Sequence, residues 1–228
     1  NKKIILAADI GSSPHKKFSH DYQAGALSFE IFSNNKKLIS NSGYYPDTKN
    51  RLNKLSKSTA LQNTLSIEDY SSSDFIKSSN NFLIQKDLKI ENKNIVFEKN
   101  YWKISASHNG YFKKFKLDHH REIEFYPEQF KFIGHDKIVR KDPYKQIKFD
   151  IRFHLHPDSK VMKTQNSKFI LIQLEDEGWQ FSCDNYDINI DNGLYFGNKN
   201  SYQENQNIFI SGMNNESEQI IRWEIIKI

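Results

Sequence analysis

Strict alternation along Ile147–Leu155 constrains this chain more than any other feature. Ile147, Phe149, Ile151, Phe153 and Leu155 alternate with Lys148, Asp150, Arg152 and His154. A period of two puts all the apolar side chains on one face, as in a half-buried strand. Leu27, Phe29 and Ile31 alternate with Ser28 and Glu30 in the same way, and Asn34 and Asn35 then supply turn residues before Leu38 and Ile39. A hairpin of strands 26–32 and 37–40 follows. Further apolar runs lie at 65–67, 95–97, 102–106, 112–126, 169–174, 179–181, 208–210 and 220–226, with Asn109-Gly110 and Asp191-Asn192-Gly193 read as turns between them. No window of a dozen residues carries a helical period. Many short strands with frequent turns imply an all-β, antiparallel β-sandwich with little or no helix.

A length of 228 residues fits one domain over 1–228. No run of 18 apolar residues is present, so no helix can span a membrane. The opening Asn1–Asp9 is basic and then apolar, and Asp9 cuts it too short for a signal peptide. With no initiator Met, the chain reads as a fragment or processed piece. The single Cys183 forms no internal disulfide and no zinc spacing; it reads as a small apolar filler. The net charge of +5 is open to two readings, attraction to a polyanion or the Lys-rich bias of an AT-rich genome. The lysines are scattered, without a dense basic run, so nucleic acid is not an expected partner. Tyr44–Lys57 and the Ser-rich Tyr70–Asn81 are polar and irregular. Each reads as a loop over a binding cleft or as a surface excursion, the Ser-rich one as flexible.

Three further patterns carry candidate chemistry. His119 and Arg121 share the apolar face of a strand drawn from Phe112 to Tyr126, where an unpaired charge is costly. They either line a cleft floor and meet an anionic substrate, or pair internally with a carboxylate such as Asp9 or Glu30. His154 and His156 stand together on the polar face of their strand and could face a sugar chain, hold a metal or simply be solvated. His108 sits in a turn and reads as exposed. Trp102, Trp179 and Trp223 are candidate sugar platforms, with Trp179 and Trp223 better suited to the core.

Short blocks tie these positions together. Residues 23–30 read Gln-Ala-Gly-Ala-Leu-Ser-Phe-Glu, 38–43 Leu-Ile-Ser-Asn-Ser-Gly and 58–65 Ser-Thr-Ala-Leu-Gln-Asn-Thr-Leu. Later come Ala-Ser-His-Asn-Gly-Tyr at 106–111, Leu-Asp-His-His-Arg at 117–121 and Arg-Phe-His-Leu-His-Pro at 152–157, then Glu-Gly-Trp-Gln-Phe at 177–181 and Arg-Trp-Glu at 222–224. This series resembles the C-terminal β-sandwich of the heparinase II/III family of polysaccharide lyases, a supersandwich-like fold. The resemblance implies β-elimination on uronate-containing acidic polysaccharide, a cell-envelope or periplasmic setting, and an upstream helical toroid as partner in the same gene product. It also places Gln23, Asn41 and Gln62 where zinc-binding members hold their metal. Three amides there imply that zinc is lost and no cofactor is required. The position of the family's first motif His is Asp21, with His20 beside it; His20, Asp21, His108 and His119 are the catalytic candidates, and Gln23, Asn41, Gln62, Arg121 and His154 the substrate-binding ones. Without the toroid, this piece is expected to be inactive alone. The alternative is a non-catalytic acidic-polysaccharide-binding or structural module of the envelope.

Overall fold

A computed structural model describes residues 3–142, 145–165, 168–197 and 201–228. The chain opens with β1 (Ile4–Ala8), then β2 (Phe29–Ser33) and β3 (Lys36–Ile39), which form an antiparallel three-stranded sheet in that order. Asn34 and Asn35 both take positive φ at the β2–β3 turn, the conformation for which asparagine is tolerated. The expected hairpin is present, although its first strand begins at Phe29: Leu27 sits at φ 61 and breaks the extended run.

A short helix, α1 (Arg51–Ser56), follows, capped by Asn50, whose side chain accepts from the Leu52 N–H. Then come β4 (Leu65–Ile67) and a hairpin of β5 (Phe75–Ser78) and β6 (Asn81–Ile84). The stretches expected to be irregular thus contain a helix and a hairpin. Ser79 at φ 52 makes the hairpin's turn, a local device that serine content does not announce.

The remaining strands are β7 (Ile90–Glu98), β8 (Tyr101–His108), β9 (Leu117–Tyr126), β10 (Lys131–Arg140), β11 (Ile147–His154), β12 (Lys160–Lys163), β13 (Phe169–Leu174), β14 (Glu177–Cys183), β15 (Ile188–Tyr195), β16 (Gln203–Asn214) and β17 (Glu218–Lys227). One turn of helix, α2 (Phe112–Phe115), separates β8 from β9. The long strand expected from Phe112 therefore starts at Leu117, after Lys116 takes a left-handed φ of 53 and ends the helix. Asp191–Gly193, expected as a turn, lies inside β15.

An eight-stranded sheet runs β12-β13-β14-β17-β10-β9-β8-β7, and a four-stranded sheet runs β15-β16-β11-β4. The three-stranded sheet joins the second layer where Ile39 bridges Leu155 and the Ser40 N–H donates to the His154 carbonyl. One apolar core lies between the layers, with β9 alternating buried and half-buried along its length. Phe29 stacks on Trp223 at 5.4 Å, and Phe153 meets the same indole edge-on at 4.9 Å. Gly134 is required by this packing: a Cβ there would lie 1.9 Å from the Trp223 ring. Trp179 and Trp223 are core residues, while Trp102 is half-buried beside Phe97. Cys183 is half-buried at the end of β14 and packs against the core, and burial pushes its thiol up to about 12.

Candidate functional site

The loops before β2, after β3 and before β4 meet at one end of the sandwich, and hydrogen bonds rather than sheet pairing define them. Asn63 is their hub. Its side chain donates to the Phe29 carbonyl at 2.8 Å and accepts from the His154 N–H at 2.6 Å. Its own N–H donates to Asn41 Oδ1 at 2.8 Å. Asn41 Nδ2 in turn donates to Ser28 Oγ at 3.3 Å. Gly25 lies against the same hydroxyl; a Cβ there would sit 3.0 Å from Ser28 Oγ and 3.1 Å from Gln62 Oε1. Asn41 and Gln62 are thus drawn around Ser28 and Gly25. Gln23 projects from the same loop but turns its amide to the Gly43 and Ser56 carbonyls, both at 2.7 Å. No hydrogen bond joins the three amides to one another among the described residues. Gln62 Nε2 is buried without a protein acceptor.

Zinc prefers thiolate, imidazole or carboxylate donors. The donors at these three positions are neutral amides, and two of them are already spent on the protein's own groups. The set does not fit zinc, and no group of three His, Cys, Asp or Glu suited to a metal occurs among the described residues.

A cation does stand at the edge of this cluster. Lys57 is fully buried, and its ammonium donates to the His20 carbonyl and, at 3.1 Å, to that of Tyr22. The rings of Tyr44 and Phe75 lie 5.1 and 5.4 Å from it. Burial lowers its pKa to about 8. His20 and Asp21 form an exposed pair at 3.0 Å, with neither side chain directed into the amide cluster by any hydrogen bond.

His119 and Arg121 project from β9 into the core, and their partner is Asp136 of β10 rather than Asp9 or Glu30. His119 Nε2 lies 2.6 Å from Asp136 Oδ1, and Arg121 grips both carboxylate oxygens, at 2.8 and 2.9 Å. The Trp223 indole N–H donates to Asp136 Oδ2 at 2.9 Å. Arg121 Nη1 donates to the carbonyls of Leu27 and Asn63, so the ion network is stapled to the loop hub. Burial alone would raise the Asp136 pKa, but the Arg121 charge and the His119 bond hold the carboxyl well below its ordinary range. Every guanidinium nitrogen of Arg121 is engaged, so the expected contact with an anionic substrate is not offered by this side chain.

Two other expectations about histidines are corrected. His108 is buried rather than exposed, and its Nε2 lies 3.2 Å from His119 Nδ1. His154 does not stand on an open face, because residues 40–64 cover that side of β11. Its ring meets Ala60 O at 2.9 Å and Ser42 Oγ at 3.3 Å. Burial lowers the pKa of all three imidazoles, that of His154 to about 4. His156, at the strand's end, is half-buried and pairs with Asp158 at 3.3 Å.

Sequence reasoning missed Asp136, Asn63 and Lys57. A signal existed for the first: Phe132, Gly134, Asp136 and Ile138 alternate, and an Asp on that apolar face demands partners. Nothing in the sequence marks Lys57 as buried.

Known proteins now place this arrangement. The family model described as heparinase II/III-like, C-terminal, matches residues 1–224. FtsZ-localized protein C of Caulobacter vibrioides is 26% identical over 98% of this chain, and the match covers 41% of that protein. A mutant of the heparan sulfate lyase HepC from Pedobacter heparinus superposes with a TM-score of 0.78 at 13% identity, over 98% of this chain and 33% of that one. A crystal structure of heparinase III gives 0.72 at 14% identity, over 99% and 33%. The chain therefore spans less than half the length of these relatives, and the solved structures show that the fold is shared. On the match over nearly its whole length, the chain belongs to the heparinase II/III-like C-terminal domain family.

Proposed function

We propose that this chain is a β-sandwich that binds acidic polysaccharide within a heparinase-like protein of the cell envelope, holds its loops without zinc, and turns over no substrate by itself. The observation that carries this reading is the amide cluster. Where the family resemblance expects metal ligands, Gln23 and Asn41 hydrogen-bond the protein's own loops, and Asn63 and Arg121 tie those loops to the sheet. β-Elimination needs a base to take the proton beside the uronate carboxylate, a group to neutralise that carboxylate, and an acid for the leaving oxygen. His108, His119 and Arg121 are buried and mutually engaged, so they serve as positioning residues. A helical toroid in the same gene product would have to supply the reacting groups.

The test is incubation of the purified chain with heparan sulfate and with polyuronates, following the ultraviolet absorbance of an unsaturated uronate. No product is expected from the chain alone, and clear turnover would overturn the reading. A second reading is favoured by the curated relative, whose name refers to localisation with FtsZ rather than to lyase activity. In that reading the sandwich is a structural module that localises with FtsZ. Binding to FtsZ polymers without any affinity for glycans would select it.

A further inference from the structure

The two segments that the sequence leaves irregular form the walls of one groove. Helix α1 and the residues before it provide Lys49, Arg51 and Lys54; the β5–β6 hairpin provides Lys77 and Phe82. The groove measures about 490 Å³. All four cations are exposed, none is in an ion pair among the described residues, and no carboxylate lines the groove. Four like charges facing one space repel each other, and an anion would relieve that repulsion. A second basic groove, beside Lys114, Lys116 and Arg140, is by contrast also lined by Glu68 and Asp142. The first groove adds neutral partners for hydroxyl groups in Thr48, Asn50, Ser79 and Asn80, and Lys54 lies 5.9 Å from the face of the Phe82 ring.

We infer that this groove is the docking site for the acidic polysaccharide, with Arg51, Lys54 and Lys77 holding its carboxylate or sulfate groups and Phe82 packing on a sugar face. Arg51 supplies the planar fork that suits such oxyanions, and the lysines supply point charges. Single-stranded nucleic acid fits less well, because its binders stack successive bases on several aromatic platforms and this groove offers Phe82 alone. The groove adjoins the amide cluster through Gln23, whose amide donates to the carbonyl of Ser56 at the end of α1. The inference rests on the acidic-polysaccharide reading above and gives it a surface.

The test uses the whole chain and four probes: a heparin oligosaccharide, a polyuronate, dextran, and a single-stranded oligodeoxynucleotide of matched charge. Native protein is compared with Arg51→Gln/Lys54→Gln/Lys77→Gln, which removes the three charges while keeping polar side chains and, at Arg51 and Lys54 of α1, a similar helix propensity. A control, Lys93→Gln/Lys99→Gln/Lys160→Gln, removes as much charge elsewhere. Loss of three exposed charge contacts should weaken heparin and polyuronate binding by about tenfold or more. The control should keep native affinity, dextran should not bind, and rising salt should weaken the interaction. Circular dichroism confirms that each variant is folded; if the triple variant unfolds, Lys54→Gln and Lys77→Gln singly must each weaken binding. Native binding that the groove variants leave intact overturns this inference while sparing the functional reading. No glycan binding by native protein overturns both. Tighter binding of the oligonucleotide than of either glycan also rejects the site as assigned.

Discussion

At the scale of single residues, Asp136 is the side chain on which the buried chemistry depends. It gathers His119, Arg121 and Trp223 around one carboxylate with no exposure to solvent. Asp136→Ala leaves a buried guanidinium without its counter-charge and should cost about 3–5 kcal/mol, measured as a loss of urea midpoint; a loss below about 1 kcal/mol would show that the network is dispensable. The three buried imidazoles set a pH dependence. Their folded pKa values are lowered by burial, so the unfolded chain takes up protons that the folded chain refuses. Stability is then fully present above the ordinary histidine value and falls as pH drops through about 6.5 towards 4. Chemical denaturation at about pH 7.5 and about pH 5 should show the midpoint fall, and a flat profile would contradict buried neutral imidazoles. The need for partners was legible for His119 and Arg121, because both share a face with Leu117, Ile123 and Phe125. The partner itself was not, since strand pairing across the β9–β10 turn places Asp136 directly opposite Arg121 and alternation within one strand says nothing of its neighbour.

At the scale of elements, the strands were more legible than the connections between them. The core-facing sets of β9 and β11 follow from period two, as does the hairpin of β2 and β3. What failed was the reading of Phe112–Phe115, Tyr70–Asn81 and His154. One turn of helix has no period to detect, the β5–β6 turn depends on a left-handed Ser79, and the polar face of β11 is covered by a distant segment. That covering segment has its own anchors. Lys57→Met keeps the aliphatic stem but leaves the His20 and Tyr22 carbonyls without their donor, which should cost about 1–3 kcal/mol. Limited proteolysis should then cut between residues 44 and 57 faster than in native protein, and an unchanged cleavage rate would remove Lys57 from this role. Gly134→Ala forces β10 and β17 apart at the indole of Trp223, at a cost of about 1–3 kcal/mol or more by thermal denaturation.

At the scale of the whole molecule, the fold unites an eight-stranded sheet with a layer of the four- and three-stranded sheets around one main core, and places the amide cluster and the cationic groove at neighbouring loops. The family framework was legible because its motif blocks are short and contiguous in sequence, several of them at strand ends. The groove was not, because its cations come from residues 49–54 and 77 and converge only after both segments fold. A modest net charge of +5 thus understates the local field that an acidic polymer would meet. The proposed function requires that a sandwich of this family bind acidic polysaccharide with no metal in its loops. Calorimetric titration of a heparin oligosaccharide into protein dialysed against EDTA tests this requirement. Affinity should be the same before and after chelation; binding that vanishes with EDTA and returns with zinc would show that a metal is required.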